Sequence, residues 1–118
     1  MVDAMIAFVT CGSAEEARRI ATALVEKNLA ACVNIVPGVE SCYRWKGEVE
    51  WSQESLLVIK TTGDAIAPAH EAVMEGHSYE NPEFVAFTID EGSASYLRWI
   101  QESVDADAGG PPASEWDE

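Results

Sequence analysis

AACVNIVPGVESCYRW-KG-EVEWSQESLLVIKT, residues 30–61, reads as one β-hairpin closed by the turn Lys46-Gly47. Each arm runs to about fourteen residues, and at about 3.3 Å per residue that is about 46 Å of strand. A domain of about 100 residues has a radius of gyration near 13 Å, so a straight arm overshoots its own core. Strand backbone projecting past its sheet leaves N–H and C=O groups unpaired, and the economical cover is a second copy of the same chain. Along the first arm Val33 and Ile35 share one face, with Cys32 and Asn34 on the other. Pro37-Gly38 then interrupts the ladder, because proline has no N–H to donate and glycine permits unusual dihedrals, so a bend or bulge is expected there. Beyond it Val39, Ser41, Tyr43 and Trp45 line one face. The return arm ends in Leu56-Leu57-Val58-Ile59, an unbroken apolar run expected to be buried on both faces. Tyr43, Trp45 and Trp51 are expected to cluster near the tip, far from a monomer core, as an intersubunit contact.

The flanks complete the order. Met5–Thr10 is a short apolar strand; Ser13 with Glu16 three residues on forms a capping box, and Ala17, Ile20, Ala21, Leu24 and Val25 mark one helical face ending near Asn28. After the hairpin, Gly63-Asp64 is expected to cap a second helix with Pro68 in or just after its first turn, a stripe of Ile66, Ala69 and Val73, and Gly76 as its stop. Residues 77–83 read as a loop, 84–89 as a strand, and Ser93 opens a last helix carrying Tyr96, Leu97, Trp99 and Ile100. The order β-α-β-β-α-β plus a terminal helix predicts an α+β, ferredoxin-like sandwich, an antiparallel sheet with helices on one face. One domain spans residues 1–104. From Asp105 onward DADAGGPPASEWDE is expected to be a disordered acidic tail, in which Trp116 alone is a poor anchor.

Composition narrows the partners. The chain has 118 residues, 47% apolar, with 21 acidic against 7 basic residues and a formal charge of −14. Such a surface repels phosphates and anionic lipid, so neither nucleic acid nor membrane is expected as a partner. An ordered domain this acidic, with only Lys27, Lys46 and Lys60 as lysines, fits a salt-loving source. In molar salt the Debye length of about 3 Å mutes self-repulsion. The competing reading is a surface that attracts cations. Three cysteines (Cys11, Cys32 and Cys42) and a start without a basic, then apolar, leader favour free thiols and a cytoplasmic location.

No phosphate-cradling glycine loop is present, and the acids in Cys11-Gly12-Ser13-Ala14-Glu15-Glu16 oppose an anion there. A cysteine–histidine nucleophile pair lacks an orienting third group, so no enzyme is expected. Metal ligation is the stronger option. Cys11 ends the first strand while His77 and Glu83 bracket the loop before the fourth, and thiolate, imidazole and carboxylate together suit zinc or copper. His70, Met74 and His77, at i, i+4 and i+7, offer a copper(I) alternative or simply a helix edge.

Ala31-Cys32-Val33-Asn34-Ile35-Val36-Pro37-Gly38-Val39, with Ser41, Tyr43 and Trp45-Lys46-Gly47, resembles the hallmark hairpin of the CutA divalent-cation-tolerance proteins. The likeness continues through Lys60-Thr61, His77, Tyr79-Glu80, Pro82-Glu83 and Tyr96-Leu97-Arg98-Trp99-Ile100, covering residues 4 to 104. It implies a ferredoxin-like fold, a homotrimer, a role in tolerance of copper or another divalent cation, and metal ligands at Cys11, His77 and Glu83. It also implies kinship with PII-like trimers, hence the alternative of a sensing or adaptor trimer with a small ligand in the intersubunit clefts, where Lys60 and Arg44 are the expected contacts; a purely structural trimer is the third reading. Ser78 stands where the family usually has proline, which frees a fixed φ in the loop.

Overall fold

An apolar run rich in strand-forming residues at 4–11, and the two long arms rich in β-branched and aromatic residues at 32–45 and 48–62, yield strands, and the 3.6-residue spacing after Ser13 yields a helix. A computed structural model describes residues 3–106. It contains β1 (Ala4–Cys11), α1 (Ala14–Glu26), β2 (Cys32–Trp45), β3 (Glu48–Thr62), α2 (Ile66–Gly76), β4 (Val85–Thr88) and α3 (Ala94–Ser103). The sheet order is β2-β3-β1-β4, antiparallel throughout, which is the ferredoxin-like topology expected. The expected acidic tail lies almost wholly outside the described residues.

The core forms between one sheet face and the helices. Ala7, Val9 and Cys11 of β1 and Leu57 and Ile59 of β3 meet Ala17, Ile20 and Leu24 of α1 and Ala69 and Val73 of α2. Each fully buried aliphatic side chain such as Leu24 contributes about 1.5–3 kcal/mol relative to exposure. Among the buried polar residues Thr61 is fully enclosed, and its hydroxyl donates to the Leu29 carbonyl at 2.7 Å. The Leu56–Ile59 run is not buried on both faces as its unbroken apolar character suggested. Leu57 and Ile59 enter the core, whereas Leu56 and Val58 are half-buried on the other face.

The hairpin is as long as its sequence predicts, with arms of 14 and 15 residues. The molecule measures 50 × 31 × 22 Å, with a radius of gyration of 14.8 Å. The expected bulge falls at Pro37-Gly38: Val36 pairs with Leu56 and Val39 with Glu54, so two residues oppose Ser55 alone. Gly38 takes φ 71°, a value that an L side chain disfavours. At the tip Trp45 pairs with Glu48 across a two-residue turn in which Lys46 and Gly47 both have positive φ, the twist that suits a hairpin. Register corrects the aromatic cluster. Tyr43 pairs with Glu50 and Trp45 with Glu48, but Trp51 pairs with Cys42, one step out of phase. Cross-strand partners share a face, so Trp51 lies on the side opposite Tyr43 and Trp45.

The second helix also starts differently from expectation. Gly63–Ala65 form a 3₁₀ turn, and Asp64 accepts a bond from the Thr62 hydroxyl at 2.6 Å instead of capping α2. Pro68 sits third in α2, still within the turn whose N–H groups have no helical partner.

Candidate metal centre

Cys11 closes β1 with its side chain pointing into the core, fully buried. Two residues later Ser13 caps α1, its hydroxyl accepting the Glu16 N–H at 3.1 Å. A capping-box glutamate usually reaches back to the cap's own N–H. The Glu16 carboxylate instead turns inward: Oε2 accepts the Ser78 N–H at 2.9 Å and lies 3.7 Å from the Arg19 guanidinium. Its Oε1 is buried with no hydrogen-bond partner among the described residues.

His77 follows α2 directly, in an extended conformation that swings its ring under β1. Its side chain is fully buried. Nε2–H donates to the Thr10 carbonyl at 2.7 Å, and Nδ1 accepts the Tyr79 N–H at 3.1 Å, which fixes the neutral Nε2–H tautomer. Nδ1 also faces Glu16 Oε1 at 3.6 Å. One donor atom each from Cys11, Glu16 and His77 lies within 4.8 Å of the other two.

This set fits a divalent ion of zinc or copper type. Sulfur, imidazole nitrogen and carboxylate oxygen are the ligands such ions take. The buried, unpartnered Oε1 is an electron pair with no other use, and an imidazole whose Nε2–H is held by a backbone carbonyl is the usual outer-shell arrangement of a metal-bound histidine, its Nδ1 exchanging the Tyr79 N–H for the ion. Thiolate and carboxylate together would balance a 2+ charge.

Tyr79 covers the site. Its ring stacks on His77 at 4.7 Å between centroids, and its hydroxyl donates to Glu54 Oε2 at 2.8 Å. A Cβ on Gly12 would sit 3.0 Å from that hydroxyl oxygen, so glycine there permits the close approach. The surroundings are acidic and largely buried, and the titrating groups respond. Burial, then the charges of Glu16 and Glu54, push the Cys11 thiol from 9.0 up to about 11, with Arg19 opposing. Burial and the bond to Glu54 push Tyr79 from 10.0 up to about 12.

Of the expected ligands, the structure brings Cys11 and His77 together. Glu83 is not in the three-donor group; burial and the neighbouring charge of Glu54 raise its carboxyl above the usual range. Glu16 takes the carboxylate place in the cluster, and its capping-box position gave a complete local explanation that concealed this. His70 stacks on Phe84 at 4.7 Å and does not join His77 in a donor group among the described residues. The two cations expected to contact a small ligand are engaged locally: Lys60 Nζ donates to Asn34 Oδ1, and Arg44 Nη1 to the Gly47 carbonyl at 3.4 Å. No helix among the described residues is long and apolar enough to cross a membrane.

Known proteins resemble the chain over most of its length. A family model described as CutA1 divalent ion tolerance protein matches residues 5–103. The "Divalent-cation tolerance protein CutA" of Thermus thermophilus is 52% identical over 99 residues, which is 84% of this chain and 96% of that one. "Protein CutA, chloroplastic" of Arabidopsis thaliana is 42% identical over 103 residues, 87% of this chain and 57% of that one. The solved Thermus thermophilus structure superposes with a TM-score of 0.85 at 50% identity, covering 86% and 99% of the two chains. That of Archaeoglobus fulgidus, a protein called periplasmic, gives 0.83 at 39% identity, covering 86% and 99%. Relatives thus differ in named compartment.

Proposed function

The chain belongs to the CutA1 divalent ion tolerance family, and from that premise we propose that it binds copper or another divalent cation as a homotrimer, through Cys11, His77 and Glu16. The observation that carries this reading is the convergence of three donor atoms within 4.8 Å around a buried carboxylate oxygen that has no partner. Glu83, the carboxylate expected from the sequence, stands outside the group and is assigned no direct ligation. The role is binding, not catalysis, and the three free cysteines fit a reducing, cytoplasmic setting.

Support for assembly comes from the outer hairpin, where Tyr43, Trp45, Val49 and Trp51 are all exposed and occupy both faces. A monomer cannot cover both sides of its own arm, so neighbours on each side suit it. Light scattering is expected to give a mass about three times 12.8 kDa; the monomer mass would remove the trimer.

Isothermal titration with zinc and copper tests the site. Cys11→Ala, His77→Ala and Glu16→Gln are each expected to weaken binding by tenfold or more, and Glu83→Gln to leave it near wild type. Wild-type affinity in the first three variants overturns the site. Loss in Glu83→Gln with none in Glu16→Gln restores the carboxylate expected from sequence.

A further inference from the structure

His77 is engaged at both ring nitrogens. Its Nε2–H is on the Thr10 carbonyl, and Nδ1, the nitrogen that faces Glu16, accepts the Tyr79 N–H at 3.1 Å. A neutral imidazole has one acceptor nitrogen, so Nδ1 serves either the Tyr79 amide or a cation, not both. Tyr79 has a second tie, from its hydroxyl to Glu54 Oε2 at 2.8 Å. Two bonds made by one residue therefore hold the closed arrangement, and the first must break before an ion reaches Nδ1.

Glu54 is buried on β3, where it pairs with Val39, the first residue past the Pro37-Gly38 bulge. Beyond the effect of burial, its charge helps to raise both the Cys11 thiol and the Glu83 carboxyl, so a cation held by Cys11 lies within its field. A buried carboxylate needs a donor or a counter-charge. The Tyr79 hydroxyl supplies the first and a 2+ ion the second, which makes phenol and ion alternative partners of Glu54 as well as of His77. The chain just before Tyr79 is anchored separately, since the Ser78 N–H donates to Glu16 Oε2 and leaves Oε1 free. Past Ser78 the segment up to Phe84 has no regular structure, and the Tyr79 side chain is already in contact with solvent. Tyr79 is thus the first residue of the loop with room to withdraw while its neighbours stay in place.

Resting on the metal reading proposed above, we infer that Tyr79 is a latch on the site: filling it takes Nδ1 from the Tyr79 N–H, Tyr79 withdraws, and its hydroxyl leaves Glu54. The closed loop competes with the ion, so the Tyr79–Glu54 bond sets the concentration at which the site fills. Glu54 passes the exchange to the root of the outer hairpin, because its cross-strand partner Val39 is where the arm takes its direction. Removing the hydroxyl alone is expected to favour the open loop by about tenfold, the lower end for a bond to a charged acceptor, as suits a half-exposed ring. An ion that binds only the open loop gains apparent affinity by the same factor.

The test follows amide hydrogen exchange by NMR in the full-length chain, with and without zinc. Tyr79→Phe keeps a ring beside His77 and loses only the hydroxyl. In the metal-free protein its residue-79 amide is expected to exchange about tenfold faster than in the wild type, with Glu54→Gln, which retains a neutral acceptor, in between. Unchanged exchange at Val9 and Ile59, in the core strands, reports that each variant remains folded. Zinc is expected to speed exchange of the wild-type Tyr79 amide, the reverse of the protection that binding confers elsewhere, and to shift the amides of Val39 and Glu54. In Tyr79→Phe zinc is expected to bind about tenfold more tightly and to shift those two amides less. A Tyr79 amide still protected in the zinc-saturated wild type, or an unchanged zinc affinity in Tyr79→Phe, overturns the latch and leaves the metal site standing. A released Tyr79 with unmoved Val39 and Glu54 amides overturns the link to the hairpin. A wild type that binds no zinc overturns the site itself and the latch with it.

Discussion

Zinc binding at the Cys11 site is expected to release close to one proton per ion at pH 7. The sulfur ligates as thiolate, yet the folded protein holds the thiol up to about 11 by burial and by the charges of Glu16 and Glu54. At pH 7 that is about four units below the transition, so thiolate is about 10⁻⁴ of the population and its formation costs about 5 kcal/mol. The metal must overcome that cost on binding, and its apparent affinity therefore rises about tenfold per pH unit. The Nε2–H of His77 stays on the Thr10 carbonyl, so no proton leaves from that atom. Titration calorimetry in buffers of different ionisation enthalpy reads the proton count directly. Cys11→Ser is expected to bind more weakly and abolish the release. Tight binding with no proton released, or with an affinity flat between pH 6.5 and 8.5, would refute sulfur ligation and with it the proposed centre.

The same thiol makes stability fall in alkali. The unfolded chain ionises Cys11 near 9.0 while the folded chain keeps the proton to about 11. The native state therefore binds more protons in that window and loses about 2.7 kcal/mol across it. Urea unfolding at pH 8 and 10.5 is expected to show about two thirds of that loss from Cys11, together with a part from Tyr79 between 10.0 and about 12, and Cys11→Ala is expected to leave only the Tyr79 part. Thr61→Val removes the donor to the Leu29 carbonyl inside the core and is expected to lower stability by about 1–3 kcal/mol, read as a lower urea midpoint at unchanged slope. Gly12→Ala places a methyl group 3.0 Å from the Tyr79 hydroxyl and is expected to detach it from Glu54, so that ultraviolet titration finds the phenol nearer 10.0; a phenol still near 12 would show that the loop absorbs the methyl.

Local chemistry made most of the fold legible. Ser13 predicted the start of α1, Ser93 that of α3, and Pro37-Gly38 the bulge, because a cap, a missing N–H and a positive φ act within a few residues of where they are written. The capping of α2 was misread since Asp64 found a nearer partner in Thr62. The position of Trp51 was open to register arithmetic alone: a two-residue turn at Lys46-Gly47 pairs Trp45 with Glu48 and so sets Trp51 opposite Cys42. The candidate site divides similarly. Cys11 and His77 were visible as residue types at element ends, whereas Glu16 was not, because nothing in linear spacing says which N–H a carboxylate will choose when Ser13 and Ser78 both compete for it.

The bulge separates two properties that a regular hairpin would join. Val36 pairs with Leu56 and Val39 with Glu54, so a chain lacking Gly38 would still align every pair, with Pro37 opposite Ser55. Nothing in the core depends on the extra residue. What it supplies is local bend and twist, and therefore the direction in which the outer arm, with its rings on both faces, leaves the domain. A Gly38 deletion is accordingly expected to yield a folded protomer whose arm is mis-aimed. The one inserted residue thus sets the aim of the outer arm, which in the proposed assembly is the geometry between copies, without touching the tertiary structure of the protomer.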